Sequence, residues 1–256
     1  MENEEGLEKL FFELASESRL GILRELQTKN FKMQKLARKL DLTDTEAFRQ
    51  VTRLSEAMLI QKQPDGAYAI TQYGKLILFL SRAIDVVHRN RKCFLTRDVW
   101  RLPYQFIERL GELEETHLST DMFEMFNSAN QAIAKAEKYI WLIGDKPIPS
   151  MNANVGEKAA QGVKFRVLFH ESLLPQYEPA LEEMDIIEKR TLSEKIPATM
   201  VVTEKVAGVS FLSIDGRPDY VLFYGQDPNF MKWANDLFLY YWERGKRCYS
   251  ASHAEH

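Results

Sequence analysis

DLTDTEAFRQVTRLSEAMLIQK, residues 41–62, carries one apolar stripe and one long polar face. Ala47, Val51, Leu54 and Met58 recur at i, i+4, i+7 and i+11, the spacing of a helix side turned toward a core. Opposite them, at about 100° per residue, lie Thr45, Arg49, Thr52, Arg53 and Glu56, with Thr43 or Asp44 placed to cap the first turn. Two arginines one turn apart among short polar side chains suit a helix that lies against a partner. A merely solvated face is the plain alternative, and the flanking sequence decides between them.

Upstream, Leu7, Leu10, Phe11 and Leu14 begin a helical stripe that resumes in Leu20, Leu23 and Leu26, broken at Ser16-Glu17-Ser18 where a second helix is capped. Met33, Leu36, Ala37 and Leu40 form a short stripe closing at Asp41. Asp41-Leu42-Thr43 then joins two helices by about three residues, as in a helix-turn-helix. Downstream the period falls to two: Leu59 to Gln63, the turn Pro64-Asp65-Gly66, then Ala67 to Thr71, with Asp-Gly supplying the positive φ of a hairpin. Helices followed by a hairpin predict a winged helix. The apolar helix after it, Leu76 to about Val87, is suited to pair with its copy in a dimer.

Charge agrees locally but not globally. The 256 residues hold 34 Lys and Arg against 37 Asp and Glu, a formal charge of -3, so no overall basicity marks a polyanion-binding protein. From Thr28 to Lys75, however, nine bases face five acids. Lysines before and along one helix, arginines on the next and a lysine in the hairpin form a stripe able to neutralise phosphates on both sides of a groove. Thr45 and Arg49 are the expected base readers, arginine matching the O6/N7 edge of guanine. Lys35, Lys39, Arg53 and Lys62 are the expected phosphate contacts, and Lys32, Thr43, Gln50 and Thr52 complete the expected DNA-binding surface.

LASESRLGILREL, followed by FKMQKLARKLDLTDTEAFRQVTRLSEAMLIQKQPDGAYAITQYGKLIL, resembles the reading head of ArsR-like winged-helix transcriptional regulators, archaeal ones especially. The paired cysteines of the metal-sensing members are not found there, so the resemblance implies no metal sensing.

The remaining sequence has a different character. Residues 88–118 read as a connector with helical stretches, in which Phe106, Leu110 and Leu113 continue a stripe begun at Pro103 and Trp100 is expected as a packed anchor. Met122, Phe126, Ala129, Ile133 and Ala136 then mark a helix, and Tyr139 to Gly144 a buried strand. A helix near Asn152 to Gln161, stopped by Gly162, and a strand from Val163 to Phe169 complete a βαβ unit. Further strands are expected at Asp185–Arg190, Thr199–Val202, Gly208–Ile214 and Tyr220–Tyr224, and a last helix from about Pro228 lays Phe230, Trp233, Leu237 and Tyr241 on one side. If a small-molecule effector binds, the ends of the parallel strands point to Asp145 and His170, beside Gly144.

YIWLIGD and AAQGVKFRVLFH resemble one half of a phospholipase D-like domain, whose active members need a lysine two residues beyond the histidine. Here His170 is followed by Glu171 and Ser172, which implies an inactive half. FLSIDGRPDYVLFYGQDPNFMKWANDLFLYYWERGKR, with NRKCFLTRDVWRLPYQFIERLGEL, is similar to the effector domain of archaeal regulators of the methanogenesis-regulator (Fil) family. The resemblance implies an α/β domain that receives a signal or assembles subunits.

The expected architecture is an α+β winged helix-turn-helix domain with dimerisation helix over residues 1–90, a helical connector at 91–118, an α/β effector or assembly domain at 119–247 and a flexible tail at 248–256. Cys93 and Cys248 stand outside disulfide or zinc spacing, and no cofactor, catalytic set or metal ligand set is read from the chain. Neither a secretory leader nor a membrane span is expected, which suits the cytoplasm. The leading reading is a homodimeric transcriptional regulator of double-stranded DNA. A phosphoester hydrolase with a degenerate phospholipase D-like domain and a protein-interaction adaptor stand beside it.

Overall fold

The computed structural model describes residues 6–144, 157–175, 187–215 and 221–248. The chain divides into two compact units at Arg82/Ala83.

In the first unit, helices α1 (Leu7–Leu14), α2 (Glu17–Thr28), α3 (Met33–Lys39) and α4 (Asp44–Glu56) precede an antiparallel hairpin of β1 (Ile60–Lys62) and β2 (Tyr68–Ile70), and α5 (Gln72–Arg89) begins after it. Ile22, Leu23, Leu26, Phe31, Leu36, Val51, Leu54, Leu59 and Ile70 form its core. Both α3 and α4 end on a residue in the left-handed region, Asp41 at φ 53° and Met58 at φ 58°. Each is followed by an amide that reaches back five residues, Leu42 to the Ala37 carbonyl at 2.9 Å and Leu59 to the Leu54 carbonyl at 3.0 Å. These are Schellman closures, which turn the chain sharply and satisfy carbonyls left open at a helix end. Met58 therefore leaves the apolar stripe expected of it and points to solvent, 69% exposed.

The hairpin closes through the Gln63 amide on the Ala67 carbonyl at 2.7 Å, with Gly66 at φ +80°. Phe31 adds a bridge to Tyr68, so residues before α3 are stitched to the hairpin. The Thr71 hydroxyl accepts from the Gly74 amide at 2.9 Å and donates to the Met58 carbonyl at 2.7 Å, starting α5 against the turn that ends α4. A Cβ at Gly74 would strike the Leu59 carbonyl oxygen, so this close approach requires glycine.

The second unit is built on a sheet whose described strands run β10-β6-β5-β4-β7-β8-β9-β3. These are β3 (His117–Ser119), β4 (Tyr139–Gly144), β5 (Lys164–His170), β6 (Ile187–Leu192), β7 (Ala198–Thr203), β8 (Ala207–Phe211), β9 (Leu222–Gly225) and β10 (Lys246–Arg247). β4, β5 and β6 are mutually parallel and every other pairing is antiparallel. The sheet is thus mixed. Helix α8 (Met122–Lys135) contributes Ala132 and Ile133 to one side, with Ile140, Phe165, Val167 and Phe169. The C-terminal helix α9 (Pro228–Arg244) covers the other with Phe230, Trp233, Leu237 and Phe238.

Residues 91–118 are helical only in short pieces. They fold as α6 (Arg91–Phe94), α7 (Tyr104–Ile107), two 3₁₀ turns at Val99–Arg101 and Leu110–Leu113, and strand β3. Leu102, Phe106, Leu110 and Leu113 enter the same core as α9, and the Trp233 indole donates to the Phe106 carbonyl at 3.1 Å. Trp100 is not the packed anchor expected of it: it is 78% exposed, on a turn too short to offer a second buried side. Cys93 and Cys248 are not joined in a disulfide. No helix among the described residues is long and apolar enough to cross a membrane.

Candidate nucleic-acid interface

Helix α4 carries half of the residues expected at the DNA surface, both expected base readers among them. Its start is fixed by a reciprocal cap. The Thr43 hydroxyl accepts from the Glu46 amide at 3.2 Å while the Glu46 carboxylate accepts from the Thr43 amide at 3.1 Å. The Thr43 hydroxyl also donates to that carboxylate at 2.8 Å, and these bonds hold the Glu46 carboxyl below its ordinary range. Thr43 is consequently spent on building the helix, although it remains exposed.

Ala47, Gln50, Val51 and Leu54 are the buried side of α4. Thr45, Phe48, Arg49 and Glu56 are exposed on the opposite arc, with Thr52 half-buried between them. Arg49 makes no hydrogen bond or ion pair among the described residues. Thr45 and Arg49 therefore face away from the core.

Gln50 and Arg53 are both bonded to other residues of the chain. The Gln50 side-chain oxygen accepts from Arg19 at 2.9 Å in a buried contact. Arg19 is itself buried and donates to the Phe12 carbonyl at 2.7 Å and the Glu13 carbonyl at 2.6 Å. Glu13 pairs with Arg19 at 3.2 Å and accepts from Arg53 through Nε, at 3.1 Å, and Nη2. The Arg53 bond, acting against burial and with the nearby Arg19 charge, holds the Glu13 carboxyl below its usual value. Gln50 is thus an internal acceptor, and the Arg53 guanidinium is already occupied by protein. Sequence reasoning missed this cluster because α1 and α4 are distant in the chain.

The lysines lie on the surface around these elements. Lys32, Lys35, Lys39 and Lys62 are exposed. Lys29, Lys35 and Lys39 surround the buried Phe31 ring at 5.2, 5.7 and 5.4 Å from its centroid, a placement favoured by the negative face of the ring. Lys39 also pairs with Glu25, which leaves its charge partly compensated.

The tentative effector residues are elsewhere, in the second unit. Asp145 lies outside the described residues. His170 ends β5, and its ring nitrogens meet the Ser172 hydroxyl at 2.7 Å and the Ser193 carbonyl at 3.0 Å. Its imidazole caps the Glu171–Leu173 turn, which is a structural employment.

No curated protein matches the chain in sequence. Among solved structures, the archaeal chromatin protein TrmBL2, described as having a novel mode of DNA binding, aligns at TM-score 0.45 and 14% identity over 91% of this chain and 94% of that one. NucT from Helicobacter pylori aligns at TM-score 0.45 and 11% identity over 52% of this chain and 99% of its own. The phospholipase D family member Nuc from Salmonella typhimurium aligns at TM-score 0.40 and 12% identity, over 53% and 97%. The family model of the methanogenesis regulatory protein FilR1, middle domain, matches residues 122–244, from the first residue of α8 to the last of α9. That match spans just under half of the chain, and over it the α/β segment is similar to the middle domain of a methanogenesis regulatory protein.

Proposed function

We propose that the chain is a sequence-specific, DNA-binding transcriptional regulator without enzymatic activity, acting in the cytoplasm on double-stranded DNA. Residues 1–90 serve as a winged helix-turn-helix head, with α4 in the major groove and the β1–β2 hairpin as the wing. Residues 119–247 sense a signal or assemble subunits. The observation that carries this reading is the exposed arc of α4, where Thr45 and an unpaired Arg49 face outward beside surface lysines at 32, 35 and 62. Arg49 suits a guanine edge and the lysines suit phosphates.

The head works as one of a pair in this reading. Along α5, Tyr73, Leu80 and Val87 recur at seven-residue intervals with Leu76 between the first two, and all four are exposed. That repeat is the seam of two helices packed side by side, so a second copy of the chain is the proposed occupant. Two heads would then address half-sites about one helical turn apart.

Duplex binding measured against salt tests the proposal. Affinity should fall as salt rises with a log–log slope of about -0.9 per phosphate contacted, and one duplex sequence should be preferred. Arg49→Ala should erase the preference at one position, while Lys62→Ala should weaken all sequences alike. Absence of duplex binding at low salt overturns the reading, and equal weakening of every sequence by Arg49→Ala removes Arg49 as a reader.

A further inference from the structure

Helix α4 inverts the ordinary distribution of its side chains. Polar Gln50 is buried at 8% exposure while Phe48, two residues earlier, is 60% exposed. The buried glutamine is explained by Arg19. The exposed phenylalanine is covered by nothing among the described residues, since the core side of the helix is filled by Ala47, Val51 and Leu54. A large ring left in water gains nothing on folding, so its return comes on contact with something outside.

The neighbours specify that contact. At 100° per residue, Phe48 shares the outward arc with Thr45 and Thr52, whose short side chains leave the ring prominent, and follows directly into Arg49. All four lie within the first nine residues of a thirteen-residue helix, the end that meets base edges when such a helix enters a major groove. The major-groove edges of the bases are hydrogen-bonding groups with one apolar exception, the 5-methyl group of thymine, for which phenylalanine is a suitable contact. We propose that Phe48 is a specificity-determining residue that packs on a thymine methyl neighbouring the guanine met by Arg49. The inference rests on the DNA-binding reading above and adds a second base to it.

The test uses the full chain and a duplex enriched by it from a random pool. Each thymine of that duplex is replaced in turn by deoxyuridine, which deletes the methyl and keeps every hydrogen-bonding group. At one position the wild type should bind about fourfold more weakly, the worth of one buried methyl group, and Phe48→Ala should be indifferent there while still preferring guanine at the Arg49 position. Phe48→Leu, which keeps an apolar side chain, should retain part of the effect, and thermal melts of both variants check that the exposed site leaves folding intact. If wild type and Phe48→Ala respond alike to every deoxyuridine while the guanine preference persists, the role of Phe48 is overturned and DNA binding stands. If Phe48→Ala alters only the sedimentation of the chain, Phe48 belongs to a protein contact and the inference fails. If the wild type shows no preference among duplexes, both the inference and its foundation fall.

Discussion

Glu13 decides what Arg53 is free to do. With the Glu13 carboxylate bonded to Nε and Nη2 of its guanidinium, Arg53 already has its charge compensated before any phosphate arrives. Glu13→Gln should release it, and the salt slope of duplex binding should steepen by about 0.9, one further contact. An unchanged slope would mean that Arg53 stays on α1 without the charge. The same variant reports on acid stability. Because Arg53 foremost holds the Glu13 carboxyl below its ordinary 4.5, the contribution of Glu13 is complete above that pH and is lost as pH falls through the lowered folded value. Urea melts between pH 6 and 3 should therefore show the stability gap between wild type and Glu13→Gln closing at the acid end. At this scale the sequence was only half legible. Thr45 and Arg49 follow from helical spacing alone. The burial of Gln50 depends on Arg19, 31 residues away, and no local pattern marks that pairing.

Among the elements, the two left-handed helix ends carry the cost of the fold's tight turns. A residue with a Cβ pays about 1–2 kcal/mol in that conformation, and glycine pays about 0.4–1 kcal/mol in lost unfolded-chain restriction. Met58 is exposed and packs little, so Met58→Gly should stabilise the protein by roughly 0.5–1 kcal/mol in thermal or denaturant melts, and Met58→Ala should not. A loss of stability in Met58→Gly would mean that its side chain is packed after all. The helices of the first unit and its hairpin were legible because each is punctuated locally, by Thr43 at a helix start and by Pro64-Asp65-Gly66 at the turn. Residues 91–118 were not. Their apolar spacing is set by α9, which supplies Trp233 above Phe106, and not by a helix of their own.

For the whole molecule, the proposed pairing along α5 is the point most open to attack. Leu80→Glu would place a charge on each side of the seam. With about 1.5–3 kcal/mol lost for each of the two buried leucines, the dimer should dissociate at least about a hundredfold more readily in sedimentation experiments. Binding to paired half-sites should weaken while a single half-site is still recognised. A chain whose association is unmoved by Leu80→Glu does not pair through this helix. The parallel run of β4 and β5 was readable from two apolar segments around Gly162. The sheet order was not, because β3 and β10 sit at opposite edges and pair with strands far away in the chain.

Those two margins have a further consequence. β10 holds two residues and β3 three, so the described sheet offers a stranger's backbone only a brief row of unsatisfied amides and carbonyls at either side. Short borders of this sort discourage fibrous accretion and favour a chain that stays dispersed at high concentration.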